Sequence, residues 1–121
     1  MKNRIKVIMV IVLVSVSLYT GIRTIIDQKE KDQRVVVLDR GEQKKIVFYK
    51  DDCPDCQKIF NQLFWHDVRH KDMIFVNLNQ EENRKYIKIY DVKSVPTIVH
   101  KSQKYEGTDQ KKIGTILNES R

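Results

Sequence analysis

The hydrophobic pattern of the chain begins with one long apolar run. Three basic residues within residues 1–6 precede an uncharged stretch from residue 7 to residue 22, and after Arg23 the chain stays uncharged up to Ile26. As a helix, residues 7–26 would be about 30 Å long, which matches the hydrocarbon thickness of a bilayer. Arg23 lies near one end, where its long side chain can reach the headgroups. We therefore predict a transmembrane anchor at residues 7–26 behind a basic cytoplasmic tail at residues 1–6.

A cleaved secretory signal is the alternative interpretation of this run, with Ser15 and Ser17 as the small residues of a cleavage site. In either case the purely basic tail keeps the N-terminus in the cytoplasm by the positive-inside rule. We expect a single-pass protein of a bacterial cell membrane whose folded part is extracytoplasmic, or a secreted protein if the run is removed. Such compartments permit lasting disulfides.

The next segments change from charged to β-branched. Residues 27–34, DQKEKDQR, contain no apolar residue and are typical of a charged linker. The runs VVVLD (35–39) and KIVFYK (45–50) are typical of strands. The five residues between them are too few for a crossover helix, so the two runs form a hairpin or the first is an irregular arm.

From Pro54 the apolar residues recur at helical spacing, which predicts a helix over residues 54–68 with the proline in its first turn. A final helix is predicted after Gly107, with Thr108 as its N-cap and an apolar stripe at Ile113, Ile116 and Leu117. Between these two helices lie a strand at 73–79, a helix at 80–91, a strand at 95–100 and a short strand at 104–106.

The predicted order β-α-β-α-β-β-α indicates an α/β fold. Alternation of strands and helices predicts a mixed central sheet with helices on both faces, in one domain at residues 35–121. The formal charge of +7 does not indicate nucleic-acid binding. Much of it lies in the N-terminal segment, the rest is a mildly basic surface, and no nucleic-acid-binding motif is present.

The two cysteines stand at the predicted start of the helix at residue 54. Cys53 would be the N-cap, where free backbone N–H groups and the helix dipole favour a thiolate, the form that attacks disulfides. Cys56 is one turn further along, close enough to form a small disulfide ring with Cys53 and release a bound substrate. This arrangement suits a reversible dithiol couple.

The sequence leaves two other uses of the cysteines to consider. The order C-x2-C-x9-H-x3-H, ending at His66 and His70, resembles a zinc finger, but one helix would hold His66 about 15 Å along its axis from Cys56. A structural disulfide in a redox-inert binding or accessory domain, for example in protein or peptide export, is the alternative from another functional class.

The chain resembles the thioredoxin superfamily over roughly residues 44–120. The resemblance depends on CPDC (53–56) after an apolar strand, on IYDVKSVPT (89–97) and on Gly107 before the last helix. It implies a minimal thioredoxin-like fold in which a cis-proline, here Pro96, faces the cysteine pair. It also implies that the backbone of Val95 binds a substrate peptide beside Cys53.

The chain also departs from the family pattern. A buried acid usually stands six residues before the first cysteine, where this chain has Val47. The lysine often paired with that acid is replaced by Asn77, and the tryptophan before the first cysteine is replaced by Asp52. The family's first helix is missing from the sequence pattern, so we expect a minimal variant of the fold.

Three aspartates, Asp51, Asp52 and Asp55, surround the cysteines and oppose the helix dipole, and we expect Asp52 and Asp55 to modulate the thiol pKa. Weak stabilisation of the thiolate favours a reductase or isomerase over an oxidase. The expected function is that of a membrane-tethered thiol–disulfide oxidoreductase in which Cys53 attacks and Cys56 resolves. Its partners would be cysteine-containing secreted or membrane proteins and a redox partner that resets the pair, with no cofactor and no metal.

Overall fold

The computed structural model describes residues 1–119, in which helices and strands alternate as predicted from Lys45 onwards. The elements are α1 (Lys2–Glu30), β1 (Lys45–Tyr49), α2 (Pro54–His70), β2 (Met73–Asn77), a 3-10 helix (Glu81–Arg84), α3 (Lys85–Ile89), β3 (Thr97–His100), β4 (Gln103–Glu106) and α4 (Gln110–Asn118).

The four strands form one mixed sheet in the order β2-β1-β3-β4. Strand β1 is central: it runs parallel to β2, with Val47 opposite Phe75, and antiparallel to β3, with Val47 opposite Ile98. Strands β3 and β4 form an antiparallel hairpin. All five residues of β1 are buried, as expected for a strand covered on both faces.

Alternate side chains of β1 enter two different cores. Val47 and Tyr49 pack with α2, α4 and the end of α1, in the core that also contains Cys56. Ile46 and Phe48 point to the opposite face, where α3 and the segment before β1 cover them. Helices therefore lie on both faces of the sheet, and the predicted fold class is confirmed.

The run at residues 35–39 is an irregular arm, so the hairpin predicted as one of two possibilities is wrong. The arm lies across the sheet face instead of pairing with β1, and side chains satisfy its backbone. Val36 N donates to Asn83 Oδ1 at 2.9 Å, Tyr86 Oη donates to Val36 O at 2.9 Å, and Leu38 N donates to Tyr86 Oη at 2.9 Å. Val36 and Leu38 thereby reach the second core.

Helix α1 extends beyond the predicted end of the anchor at Ile26. It continues to Glu30, so the first half of the predicted linker is helical. Ile26 is only 4% exposed and packs into the core that contains Cys56. The end of α1 thus supplies the helix before β1 that the sequence pattern seemed to lack.

The rest of the predicted linker is bound to the domain by side-chain amides. Asn77 Nδ2 donates to Asp32 O at 3.2 Å, and Gln80 Nε2 donates to Gln33 O at 2.7 Å. Asn83 Nδ2 donates to Arg34 O at 3.0 Å. Residues 27–34 are charged, as the sequence shows, but they are packed against the domain rather than forming a free tether.

Helix α1 is long and apolar enough to cross a membrane, and its most apolar window is not buried against the rest of the protein. Its apolar side chains up to Ile25 are exposed; Leu13, for example, is 63% exposed. A membrane anchor and a signal sequence both have these properties.

Other boundaries moved by a few residues. The helix predicted at 80–91 is a 3-10 turn followed by one short α-helix, and α2 continues to His70. The N-cap of α4 is Asp109 rather than Thr108, because its carboxylate accepts hydrogen bonds from the N–H groups of the first turn. Gly107, which precedes it, has a φ of +139°.

Candidate functional site

The turn from β1 into α2 places Cys53 at the start of the helix, as predicted. Cys53 is the N-cap, with extended φ and ψ of −93° and 118°, and Pro54 occupies the first helical position. Cys53 Sγ accepts a hydrogen bond from Cys56 N at 3.3 Å, and Cys53 O accepts one from Gln57 N at 3.0 Å. The sulfur therefore takes the role that an oxygen usually has in an N-cap.

Cys56 lies behind Cys53, in the core. Both cysteines are free thiols; Cys53 is half-buried and Cys56 is 1% exposed. Burial raises the pKa of the Cys56 thiol, and the hydrogen bond with Cys53 raises it further. The pair thus consists of an accessible sulfur and a shielded sulfur that stays protonated, one helical turn apart.

The segment before β3 forms the other side of the site. The Val95–Pro96 peptide bond is cis, as the resemblance implied. The Cys53 thiol lies 3.9 Å from Val95 O, to which it can donate, and Pro96 is buried beneath. Gly107 N donates to Pro96 O at 3.2 Å and so holds the segment from behind. The structure therefore brings Val95 and Pro96, forty residues away in sequence, next to the cysteines.

The carboxylate of Asp51 is bound by side-chain amides, which its position beside the cysteines in the sequence did not predict. It accepts hydrogen bonds from the side-chain amides of Gln33 and Asn77, each at 2.9 Å, and from Asn79. Burial alone would raise the pKa of Asp51, but these hydrogen bonds outweigh it and lower the pKa. Asp51 thus connects Gln33, in the predicted linker, and Asn77, on β2, to the turn that carries Cys53.

Asp52 and Asp55, the two residues expected to modulate the thiol pKa, are both exposed at the start of α2. Asp52 accepts a hydrogen bond from Asn79 Nδ2 at 3.0 Å. Asp55 forms an ion pair with Lys58 at 3.1 Å, one turn along the helix. Their effect on the cysteines stays a prediction.

The histidines of the zinc alternative lie at the other end of α2. The helix is continuous from Pro54 to His70, so it separates them from the cysteines as the spacing predicted. His66 Nε2 is 3.0 Å from Asp72 Oδ1, and Asp72 Oδ2 is 2.6 Å from the buried ammonium of Lys45. Among residues 1–119, no group of three or more His, Cys, Asp or Glu side chains could hold a metal ion.

Tyr49, which by sequence could flank the site or be a packed strand residue, is packed in the core, and it contacts Glu30, which sequence reasoning did not single out. Tyr49 is 1% exposed and its hydroxyl donates to Glu30 O at 2.9 Å. Glu30 carries a carboxylate that influences the pKa of Cys56. Glu30 stands among alternating charged residues, where no periodicity distinguishes it from its solvated neighbours, and only the packing of α1 places it here.

A known protein family matches most of the chain. The family model described as thioredoxin matches residues 24–119. Among solved structures, the chain is similar to mitochondrial thioredoxin 3 from Saccharomyces cerevisiae, in its oxidised form. The identity is 19%, the TM-score is 0.49, and the similarity covers 82% of this chain and 87% of that chain. Comparison with curated proteins gave no match.

The extent of the family match also bears on the role of α1. It begins at Thr24, inside the helix and about twenty residues before the start suggested by the sequence motifs. The last two turns of α1 are therefore part of the matched domain. This agrees with the burial of Ile26 in the core that contains Cys56.

Proposed function

Since this chain belongs to the thioredoxin family, we propose that it is a membrane-tethered thiol–disulfide oxidoreductase acting on cysteine-containing secreted or membrane proteins. Cys53 attacks a client disulfide, one client sulfur leaves as a thiol, and the other stays bound to Cys53. Cys56 then attacks Cys53 Sγ, the second client thiol leaves, and a Cys53–Cys56 disulfide forms. Two electrons have passed to the client, and a redox partner that reduces the pair restores both thiols.

The observation that carries this proposal is the relation between the two sulfurs and the Val95 carbonyl. Cys53 Sγ receives the N–H of Cys56 on one side and contacts Val95 O on the other. A client backbone lying along Val95 and Pro96 would have its sulfur beside Cys53. Cys56 lies one helical turn away and is shielded from solvent, so it can react only after the client is bound to Cys53.

Membrane tethering is supported by the apolar surface of α1. Cleavage after Ser17 would leave a soluble protein with Leu18 at 62%, Tyr19 at 66% and Ile25 at 57% exposure. Such a contiguous apolar surface is unfavourable in water, whereas a bilayer would cover it. The basic residues in the first two turns of α1, ahead of its apolar run, favour a cytoplasmic N-terminus and an extracytoplasmic domain.

A role as reductase or isomerase is supported by the charges around the pair. Asp52 and Asp55 are exposed acids in the turn and first helical turn that carry the cysteines. Negative charge there opposes formation of a thiolate, and a less stabilised thiolate corresponds to a more reducing couple. Solvent screening limits the size of this effect.

Trapping of the mixed disulfide tests the proposed reaction. The full chain with Cys56→Ala, expressed in membranes, should accumulate disulfide-linked complexes with cysteine-containing proteins. The matched control is Cys53→Ala, which keeps one cysteine in the same turn but should trap none. If the two variants behave alike, the chain is the redox-inert accessory domain that its sequence also allowed.

The topology has its own test. An impermeant thiol reagent applied to intact, reduced cells should label Cys53, which is half-buried, while the same cells expressing Cys53→Ala should remain unlabelled. Labelling only after the cells are opened would place the domain in the cytoplasm.

A further inference from the structure

The end of the domain opposite the cysteines consists of three turns. Lys44 comes directly before β1, Lys71 lies between α2 and β2, and Lys101 lies between β3 and β4. Because β1 is parallel to β2 and antiparallel to β3, these turns meet at one end of the sheet. Helix α2 has 17 residues and is about 25 Å long, so this end lies about 25 Å from Cys53.

Each of these turns carries an exposed lysine, and the last turn of α2 adds an exposed arginine. We call this set the basic end: Lys44, Arg69, Lys71 and Lys101. The exposed charges beside the cysteines have the opposite sign, since Asp52 and Asp55 lie there. The domain is therefore polar along α2, with negative charge at the redox end and positive charge at the other.

Acidic side chains close to the basic end are bound within the domain. Asp72, which follows Lys71, lies 2.6 Å from the buried ammonium of Lys45. Asp67, one turn earlier in α2, accepts a hydrogen bond from the first N–H of β2 at 3.3 Å. Asp39, in the loop before β1, is exposed. Exposed basic side chains thus outnumber exposed acids on this surface.

Two of the lysines occupy a backbone conformation that glycine adopts more easily. Lys71, the C-cap of α2, has a φ of 53°, and Lys101 has a φ of 56°. This left-handed region favours glycine or asparagine, and another side chain there costs stability. Lysine at two such positions, in two separate turns of the same end, indicates that the side-chain charge has a use.

Helix α1 leaves the domain in the direction of the basic end. Its last turn lies at the redox end, where Tyr49 Oη donates to Glu30 O at 2.9 Å. About two turns earlier, Arg23 lines a cavity together with Asn61, which is two turns into α2. The path from Glu30 back to Arg23 therefore follows α2 away from Cys53. The apolar run continues in that direction.

The apolar run also passes directly into the domain. Ile25 is 57% exposed, whereas Ile26 is 4% exposed in the core that contains Cys56. Residues 27–34 are held against the domain by hydrogen bonds from Asn77, Gln80 and Asn83. A bilayer around the apolar run would therefore bring its headgroups against the domain, on the side of the basic end.

We propose that the basic end docks on anionic phospholipid headgroups of the membrane that α1 enters, so that the cysteine pair faces away from the bilayer. This inference rests on the membrane tether of the proposed function. Lysine and arginine close to an anionic membrane surface are attracted to it, and salt screens the attraction. With α2 upright on the bilayer, Cys53 stands about 25 Å above the headgroups. The clients are then proteins whose cysteines lie clear of the membrane surface.

Lysine footprinting of the unmodified full chain tests the docking. The protein is reconstituted into vesicles of phosphatidylcholine alone or of phosphatidylcholine with phosphatidylglycerol, and mass spectrometry gives the acetylation rate of each lysine. Lys44, Lys71 and Lys101 should react at least about threefold more slowly in the anionic vesicles, and high salt should remove the difference. Lys85 and Lys111, exposed at the starts of α3 and α4, are the internal controls and should change by less than about twofold.

Alkylation of Cys53 in the same vesicles gives the orientation. Iodoacetamide should modify Cys53 equally fast in both, and slower modification in the anionic vesicles would place the redox end on the membrane and overturn the proposed orientation. Equal acetylation of the basic end in both, in a chain that floats with the vesicles, would overturn the docking alone. A chain that floats with neither kind of vesicle would overturn the tether and the docking together. Client trapping with Cys56→Ala tests the redox reaction separately.

Discussion

The hydroxyl of Tyr49, on the central strand, donates a 2.9 Å hydrogen bond to the main-chain carbonyl of Glu30, in the last turn of the apolar helix. This bond joins the element that carries the cysteine turn to the element that enters the membrane in our proposal. Because Ile26 packs into the same core one turn earlier, helix and domain form a continuous unit.

Removal of the Tyr49 hydroxyl should weaken the attachment of α1 to β1 without leaving a cavity in the core. Tyr49→Phe is expected to destabilise the full chain by about 1 kcal/mol, because the part-buried carbonyl of Glu30 loses its 2.9 Å hydrogen bond and keeps a longer one, at 3.5 Å, from Asn77 Nδ2. Urea unfolding followed by tryptophan fluorescence measures this. Tyr90→Phe is the control, since Tyr90 packs on Phe48 and its hydroxyl forms no hydrogen bond within residues 1–119; its cost should be below about 0.5 kcal/mol. Equal losses of stability in Tyr49→Phe and Tyr90→Phe would contradict a stabilising role of the Tyr49 hydrogen bond.

Neutralisation of Glu30 should stabilise the folded chain at neutral pH. Since burial raises the pKa of Glu30 above 4.5, the folded state binds this proton more tightly than the unfolded state. The associated stability is present below about pH 4.5 and is lost as pH rises through the folded pKa. Glu30→Gln should therefore be more stable than the unmodified chain at pH 7, by less than about 1 kcal/mol after solvent screening, and similar to it at pH 4.

Urea unfolding at pH 4 and pH 7 checks this expectation, with Glu81→Gln, at an exposed position of the 3-10 helix, as the matched control. A loss of stability in Glu30→Gln at pH 7 would contradict the raised pKa of Glu30.

The two cysteines should differ strongly in reactivity. In the reduced chain at pH 7, iodoacetamide should alkylate Cys53 at least about tenfold faster than Cys56, because Cys56 is 1% exposed and burial raises its pKa. Mass spectrometry of the digested protein gives both rates from one sample. Comparable rates at pH 7 would contradict the assignment of Cys56 as the shielded sulfur.

The ion pair at the far end of the sheet should matter for stability. The side chains of Lys45 and Asp72 are 2% and 8% exposed and lie 2.6 Å apart. Lys45→Met leaves the Asp72 carboxylate buried with only His66 beside it, and should cost about 3 kcal/mol. Lys58→Met removes the partner of exposed Asp55 and should cost less than about 0.5 kcal/mol. Denaturant midpoints of the two variants test the contrast.

The arm before β1 should be released by loss of one amide. Asn83 is fully buried and binds the arm through Val36 N and Arg34 O. In Asn83→Ala, trypsin should cleave after Arg34 several-fold faster than in the unmodified chain, because the arm opens more often. Asn61→Ala, at an exposed position of α2, should leave the cleavage rate unchanged. An unchanged rate in Asn83→Ala would mean that the apolar contacts of the arm hold it without this residue.

Local pattern was sufficient for the elements around the cysteines. The β-branched run at residues 45–50 can bury both faces only as a central strand, and Pro54 can begin a helix but not continue a sheet. These two facts alone place Cys53 at an N-cap with Cys56 one turn further along. The motif at residues 89–97 then identified Val95 and Pro96 as the facing segment.

The tertiary structure alone decided the contacts between segments that are distant in sequence. DQKEKDQR has the composition of a solvated linker, and nothing in its pattern shows that Asn77, Gln80 and Asn83 bind its backbone. VVVLD likewise has strand composition. In the fold this segment covers the second core, and side chains rather than a neighbouring strand form the hydrogen bonds of its backbone.

Glu30 shows the physical reason most clearly. Sequence periodicity reports which face of an element is apolar, but it does not report which charged group at the end of that element will be held beside a core. That depends on how α1 packs on β1 and α2, which Ile26 and the Tyr49 hydrogen bond determine. The sequence by itself therefore determined the fold class and the cysteine pair, whereas only the tertiary structure packed the end of α1 against the core that contains Cys56.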